Sequence, residues 1–314
     1  MDNLKTINSF YNIPPEVISD ISFFAAEVER FKKGEISPER FKPTRVTRGI
    51  YGQRGQTTFM ARIKAPGGGL VSGQIKRIAE LSERYGNAVP HVTARQGMQV
   101  HGVRIDDIIA CIEGLAEVGL STRGGGGNTV RNITACPDAG VCENEAFDVA
   151  PYAAALTEFF LSHPKAFTLP RKYKIAFSGC PRDGALATVN DLGFIAKKKL
   201  INGKEVKGFT VYAAGGMGAY SRVASLLEEF VPDGDAVYVA EAIMNVFDRH
   251  GNRRNKHKAR LRFVIDRYGY DEFKRLYKEE LERVMAEGPR TMDLRPAPMP
   301  RSVRASGSKA TFHE

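Results

Sequence analysis

The stretch from Gly124 to Asp183 constrains this chain most. It opens with four glycines, runs through Asn128-Thr-Val-Arg-Asn132 to Cys136-Pro-Asp-Ala-Gly-Val-Cys142, and crosses a segment of helical spacing. It returns as Leu169-Pro-Arg-Lys-Tyr-Lys174 and Ser178-Gly-Cys-Pro-Arg-Asp183. Three of the four cysteines lie here, among cations that alternate with small residues. A fold that gathers them makes a positively charged pocket with thiols beside it, which suits metal or redox chemistry on an anion.

The remainder of the sequence sets the frame. With 314 residues, 42% of them hydrophobic and 26% charged, the chain can bury one large core or two modest ones. Lys and Arg outnumber Asp and Glu by 46 to 36, a net charge of +10, so an acidic partner is expected: nucleic acid, an anionic cofactor or a small oxyanion. No apolar run approaches the roughly 20 residues that span a bilayer, and the N-terminus lacks the layout of a signal peptide. A cytoplasmic location with no membrane partner is therefore expected, with cysteines serving as thiols or metal ligands rather than as a disulfide framework.

Periodicity predicts a helix over 14–33, then a basic, irregular connection over 34–55 interrupted by Pro38 and Pro43. A strand over 57–64, a helix around Ile75–Leu81, strands over 89–94 and 99–104 and a helix to Val118 follow in β-α-β-β-α order, compatible with a ferredoxin-like unit. Cys111, on the last of these helices, reads as a small core residue. Beyond the central stretch, Asn202-Gly203 marks a hairpin between strands at 192–199 and 206–212. The glycine-rich 213–218 leads into an expected helix over 221–230, and three more helices follow over 236–249, 259–268 and 271–286. From Arg290 the composition becomes that of a linker or tail.

The residues themselves leave alternatives open. Cys136 and Cys142 are five residues apart and Cys180 follows a strand. Three thiols are one short of a cubane's four, so a cluster with an outside ligand, zinc and simple burial all fit the spacing. Lys172 and Lys174 would share one face of a strand, where like charges are costly unless an anion compensates. Arg95 and Arg131 are the other cations set among polar and small residues. The run Arg253, Arg254, Lys256, Lys258, Arg260 suits either carboxylate binding or a solvated helix entry.

Four motifs then occur together: Thr93-Ala-Arg-Gln with His101-Gly, Asn128-Thr-Val-Arg-Asn, Leu169-Pro-Arg-Lys-Tyr-Lys, and Gly208-Phe-Thr-Val-Tyr-Ala-Ala-Gly-Gly-Met-Gly. In their order they resemble the amino-terminal half of the siroheme-dependent sulfite and nitrite reductases. The resemblance implies an α+β fold with four parts: an N-terminal helix and connection over 1–44, a ferredoxin-like half-domain over 45–120, a mixed α/β siroheme and 4Fe-4S reductase domain over 121–288, and a tail over 289–314. It implies an enzyme reducing sulfite to sulfide or nitrite to ammonia, with siroheme and a [4Fe-4S] cluster as cofactors.

By the same resemblance Arg95, Arg131, Lys172 and Lys174 surround the oxyanion. Gln96, His101, Asn128, Asn132, Gly215, Gly216, Gly218, Arg253, Arg254, Lys256 and Lys258 are the expected cofactor contacts. Cys136, Cys142 and Cys180 match three positions of the family's cluster motif, and Gly184 stands at the fourth. The implied partners are a second reductase half or subunit, which would supply the cluster ligands, and ferredoxin or a flavoprotein as electron donor. A non-catalytic siroheme-binding half is the alternative. An RNA-binding module is less favoured, because no strand carries the paired aromatics of an RNA-binding sheet.

Overall fold

The computed structural model describes residues 9–55, 57–218 and 220–296. The chain begins with α1 (Pro15–Lys32), whose Val17, Ile21, Phe24 and Val28 recur at helical spacing and are all buried. The expected irregular connection instead holds α2 (Pro38–Thr47) and β1 (Ile50–Gly52). Pro38 lies in the first turn of α2, where no N–H is needed, and the Ser37 hydroxyl accepts from the Arg40 N–H. Pro43 is tolerated inside because Phe41 anchors the helix, stacking on Phe24 and Phe31 of α1.

Next come β2 (Thr58–Ile63), α3 (Ser72–Tyr85), β3 (His91–Val92), β4 (Met98–Arg104) and α4 (Ile108–Ala116). This is the β-α-β-β-α order read from the sequence. The four strands form one antiparallel sheet in the order β1-β2-β4-β3. Ala61, Ile63, Val100 and Val103 turn to the helices and share a core with Ile78, Leu81, Ile112 and Leu115. Cys111 lies in that core, as expected of a small apolar residue.

The second unit is built on β5 (Thr134–Ala135), β6 (Ile175–Ser178), β7 (Leu192–Ile201), β8 (Lys204–Ala213) and β9 (Ser225–Pro232), hydrogen-bonded in that order. The first three run parallel and the last three antiparallel. Asn202-Gly203 makes the predicted hairpin, both with positive φ. Around the sheet lie α5 (Ala150–Ser162), α6 (Ala236–His250), α7 (Arg262–Tyr268) and α8 (Tyr270–Ala286). Their apolar faces share a core with Phe177, Phe194 and Phe209 of the sheet. Helix α5 joins the two cores, giving Leu156 and Phe160 to one and Ala154 and Leu161 to the other.

The helix expected over 221–230 is the edge strand β9. Bulges in its pairing with β8 interrupt the alternation, so Leu227 and Val231, four apart, are buried while Glu229 between them is exposed. That spacing, with Leu226 before it and Glu228 and Glu229 between, reads as a helix in sequence. Residues 289–296 are irregular but held to the body, with Arg290 paired to Glu241 at 3.0 Å and Met292 against the core. The remainder of the expected tail, 297–314, lies outside the described residues. Among the described residues no helix is long and apolar enough to cross a membrane.

Candidate active site

The face of the first sheet turned away from its helices looks toward the start of the second unit. Strand alternation puts Arg62 of β2 on that face, and Lys64 follows it just past the strand's end. The glycine-rich loop 124–127 runs between the units and is held from several sides. Gly127 N–H donates to the Tyr51 hydroxyl at 2.9 Å, and Thr129 Oγ1 donates to the Gly124 and Gly126 carbonyls. The guanidinium of Arg131 donates to the Gly125 carbonyl at 2.8 Å. An added Cβ on Gly126 would sit 2.5 Å from the Tyr51 ring, so no side chain fits there without a shift.

At the centre is Asp191, a fully buried carboxylate just before β7. Its Oδ1 accepts from Arg260 Nε at 3.1 Å, and its Oδ2 accepts from Arg260 Nη2 at 2.7 Å and from the Lys174 backbone N–H at 2.9 Å. Arg95 reaches the same place from the first unit, donating to Asn190 Oδ1 at 2.9 Å and to the carbonyls of Asn132 and Ile175. Its Nε is buried without a partner. Lys172 and Lys174 flank the wholly buried Tyr173 in an extended segment and are themselves half-buried. Arg131 comes from the neighbouring segment, whose backbone N–H donates to the Tyr173 carbonyl at 2.9 Å.

These cations act on one another. Burial pushes Arg95 down to about 10, with Arg131 and Arg260 adding to the fall and Asp191 opposing it. Burial likewise lowers Lys174 to about 8, helped by Arg95, Arg260 and Lys172. Lys172 and Arg131 are lowered too, first by burial. Within this group the ion pair among the described residues is Arg260–Asp191. One carboxylate facing Arg95, Lys172, Lys174 and Arg260, with Arg131 beside them, leaves the cluster strongly positive, a field that concentrates and orients small anions.

The other sequence candidates separate into those that build the pocket and those that lie away from it. Asn132 clamps Ala65 through both its N–H and carbonyl and donates to the Arg95 carbonyl, so its side chain positions Arg95. Gln96 is committed in the same manner to both backbone groups of Ala135. His101 bonds Gln53 and Gln99 within the first sheet, beside Arg62. Asn128 is exposed.

Of the three glycines, Gly216 has its N–H committed to the Arg222 carbonyl at 2.9 Å. What its missing side chain provides is room, since a Cβ would lie 2.3 Å from Arg262 Nη1. Gly215 is crowded by the Asn190 and Thr188 carbonyls, whereas Gly218 is open. In the basic run, Arg253 binds Asp248 and the Thr168 carbonyl, and Arg254, Lys256 and Lys258 are exposed. Arg260 and Arg262 are the ones that turn inward. Arg262 is buried with Nε and Nη1 unpartnered, next to Gly216.

Sequence reasoning missed Asp191, Lys64 and Arg262. A signal existed for the first, because Asp191 is the one acid between Asp183 and Glu205 in an otherwise neutral or basic stretch. For Lys64 the signal was period-two alternation, which sets it with Arg62 opposite the apolar Ala61 and Ile63.

The thiols gather at one end of the second sheet. Cys136 and Cys180 are buried and Cys142 is half-exposed, all three free. The Gly179 N–H donates to Cys136 Sγ at 3.2 Å, and the Arg182 guanidinium bonds Cys142 Sγ at 3.0 Å and also reaches Cys180. A Cβ on Gly184 would lie 3.4 Å from Cys136 Sγ, so the residue that lacks a thiol faces Cys136. Among the described residues, no three His, Cys, Asp or Glu side chains are arranged to hold a metal ion. The expected set of Cys136, Cys142 and Cys180 is a neighbourhood of thiols rather than a ready ligand cage. A cleft of about 630 Å³, lined by His163, Glu241 and Arg290 among others, includes none of the cations around Asp191 and carries balanced charge.

Comparison with known proteins follows the same division. Residues 126–285 match the nitrite and sulphite reductase 4Fe-4S domain, and residues 51–118 match the nitrite/sulfite reductase ferredoxin-like half domain. The chain is 34% identical over 249 residues to an assimilatory ferredoxin-dependent nitrite reductase of Haloferax mediterranei, covering 74% of this chain and 42% of that protein. It is 28% identical over 246 residues to a sulfite reductase [ferredoxin] of Mycolicibacterium paratuberculosis, covering 78% and 42%. Among solved structures it resembles the Mycobacterium tuberculosis NirA protein with a TM-score of 0.70 and 27% identity, over 85% of this chain and 50% of that one. A dissimilatory sulfite reductase I, at a TM-score of 0.59 and 14% identity over 97% and 87%, shares the fold. The chain spans less than half the length of the curated relatives named here.

Proposed function

The chain belongs to the nitrite and sulfite reductase family, and from that premise we propose that it is the oxyanion-binding and siroheme-binding half of a reductase that converts nitrite to ammonia or sulfite to sulfide. One observation carries the reading: buried Arg260 and the half-buried Arg95, Arg131, Lys172 and Lys174, drawn from both units, cluster about one buried carboxylate. Desolvated positive charge of this kind is stable only when an anion shares it.

The residues fit a polycarboxylated iron macrocycle. Siroheme carries eight carboxylates, and the unpartnered guanidinium nitrogens of half-buried Arg95 and buried Arg262 are the donors such groups require. Arg260, Arg262 and the open backbone near Gly218 would hold its periphery. When bound it would supply electrons to the oxyanion. A four-thiolate cluster does not fit this chain alone, since Gly184 offers no thiol and no ready metal cage exists among the described residues. A second half or subunit would supply those ligands, and ferredoxin, named for the relatives, is the electron donor the reading favours.

The protein's own chemistry is binding, orientation and proton delivery. Arg95 and Arg131 neutralise the oxyanion with fixed guanidinium groups and favour the charge that develops as an N–O or S–O bond breaks. Lys174, with a pKa of about 8, is protonated at neutral pH yet gives up its proton more readily than a solvent-exposed lysine, so its Nζ serves as proton donor to the departing oxygen. Asp191 fixes the Lys174 backbone and keeps Arg260 in place without neutralising the pocket.

The test is turnover of the chain joined to its second half and loaded with cofactor. Lys174→Met and Arg131→Ala should each lower nitrite or sulfite reduction by about 10²-fold or more, the scale of losing a general acid or an electrostatic donor, with pigment retained. Unchanged rates in both variants would place the oxyanion elsewhere.

A further inference from the structure

We propose that Lys64 is a positioning residue for the oxyanion pocket: from the end of β2 its buried ammonium holds the Val130 carbonyl and so fixes the direction from which Arg131 enters the site. The proposal rests on the reading above for the role of Arg131, and on geometry alone for the clamp.

Lys64 is 2% exposed, and its Nζ donates to the Val130 carbonyl at 3.2 Å. The peptide joining Val130 to Arg131 is thereby held on every side. The Val130 N–H donates to the Ala166 carbonyl at 2.8 Å, and the Arg131 N–H donates to the Tyr173 carbonyl at 2.9 Å. The lysine is built in as firmly. Its backbone N–H donates to the Ser121 carbonyl at 2.8 Å, and its own carbonyl accepts from the Tyr11 hydroxyl. Gly124, at φ +73°, leaves the space its stem occupies, because a Cβ there would lie 3.1 Å from Lys64 Cε and 3.3 Å from Nζ.

A buried ammonium is an expensive way to fill space. The ionisable groups that face Lys64 are Arg131, Arg95 and Arg123, all cations, and Tyr11 beside its backbone. Burial and those three guanidinium groups lower its pKa to about 7. Methionine would pack the same volume without desolvating a charge. What methionine lacks is the N–H that holds Val130.

The clamp is tested on the purified chain with inorganic sulfate as the probe, its affinity measured by calorimetry against chloride at equal ionic strength. Lys64→Met and Arg131→Ala should each weaken sulfate binding about tenfold, and the double variant should also be about tenfold weaker, since Lys64 acts through Arg131. Losses that multiply to about a hundredfold, or a Lys64→Met affinity equal to wild type, would overturn the proposal. Should Lys64→Met fail to fold, Lys64→Leu, which also lacks the donor, takes its place in the same cycle.

Hydrogen exchange of the segment 124–132 separates the clamp from the functional reading. Faster exchange there in the lysine variant, with the β6–β8 core unchanged, supports the clamp even if wild type binds no sulfate. Exchange unchanged in that segment overturns it.

Discussion

Asp191→Asn removes the carboxylate that, among the described residues, pairs with the site's cations, and leaves nearly the same shape. In the native protein Asp191 accepts two hydrogen bonds from Arg260, at 2.7 and 3.1 Å, and one from the Lys174 backbone at 2.9 Å. Both partners of the ion pair are buried, with side-chain exposures of 9% and 0%. Asparagine keeps one acceptor oxygen but turns an NH2 toward a guanidinium and leaves that cation uncompensated. Breaking a buried pair on one side costs roughly 3–5 kcal/mol, and Arg95, Lys172 and Lys174 also lose the group that supports their charged forms. Chemical denaturation should therefore show the variant less stable by about that amount, with an unchanged denaturant slope. Added sulfate should recover more stability in the variant than in wild type, because the anion takes the place of the missing charge. A variant within about 1 kcal/mol of wild type, with no greater response to sulfate, would refute the claim that the pocket is held together against its own repulsion.

Two further outcomes are expected. The depressed pKa of Lys64, about 7 against an ordinary 10.5, means that the unfolded chain binds more protons between those values. Its contribution to stability is complete above about pH 10.5 and is lost as pH falls through about 7. Lys64→Met should thus gain on wild type as pH is lowered from 9 to 7 in unfolding measurements, and a difference independent of pH would contradict this. In native thiol labelling, half-exposed Cys142 should react first and Cys111 last, the latter fully buried with its pKa pushed up to about 12. Equal rates at the two positions would show that the helix-side core of the first sheet opens easily.

Much of the fold was legible because its signals are local. The β-α-β-β-α order of the first unit followed from periodicity, and Asn202-Gly203 located the hairpin. Where local and tertiary signals diverged, sequence reasoning failed for identifiable reasons. Pro38 and Pro43 suggested a break, yet one lies where a helix start tolerates it and Phe41 secures the other. Bulges gave β9 a spacing of four between buried residues, which mimics a helix. In the site, Arg95, Arg131, Lys172 and Lys174 were recognisable from their motifs and do converge. The exposed part of the basic run drew attention from Arg260 and Arg262, whose burial depends on α7 packing rather than on composition. Asp191 and Lys64 carry no motif, and their importance arises only when distant segments meet.

The most direct measurement is an absorbance titration of the purified chain with siroheme, for wild type and for Arg95→Ala and Arg260→Ala. Saturable uptake by wild type that weakens in both variants and with added salt is the predicted result. A folded wild-type chain that takes up no macrocycle, or variants that bind it as tightly as wild type, would contradict the assignment of these cations to an anionic cofactor.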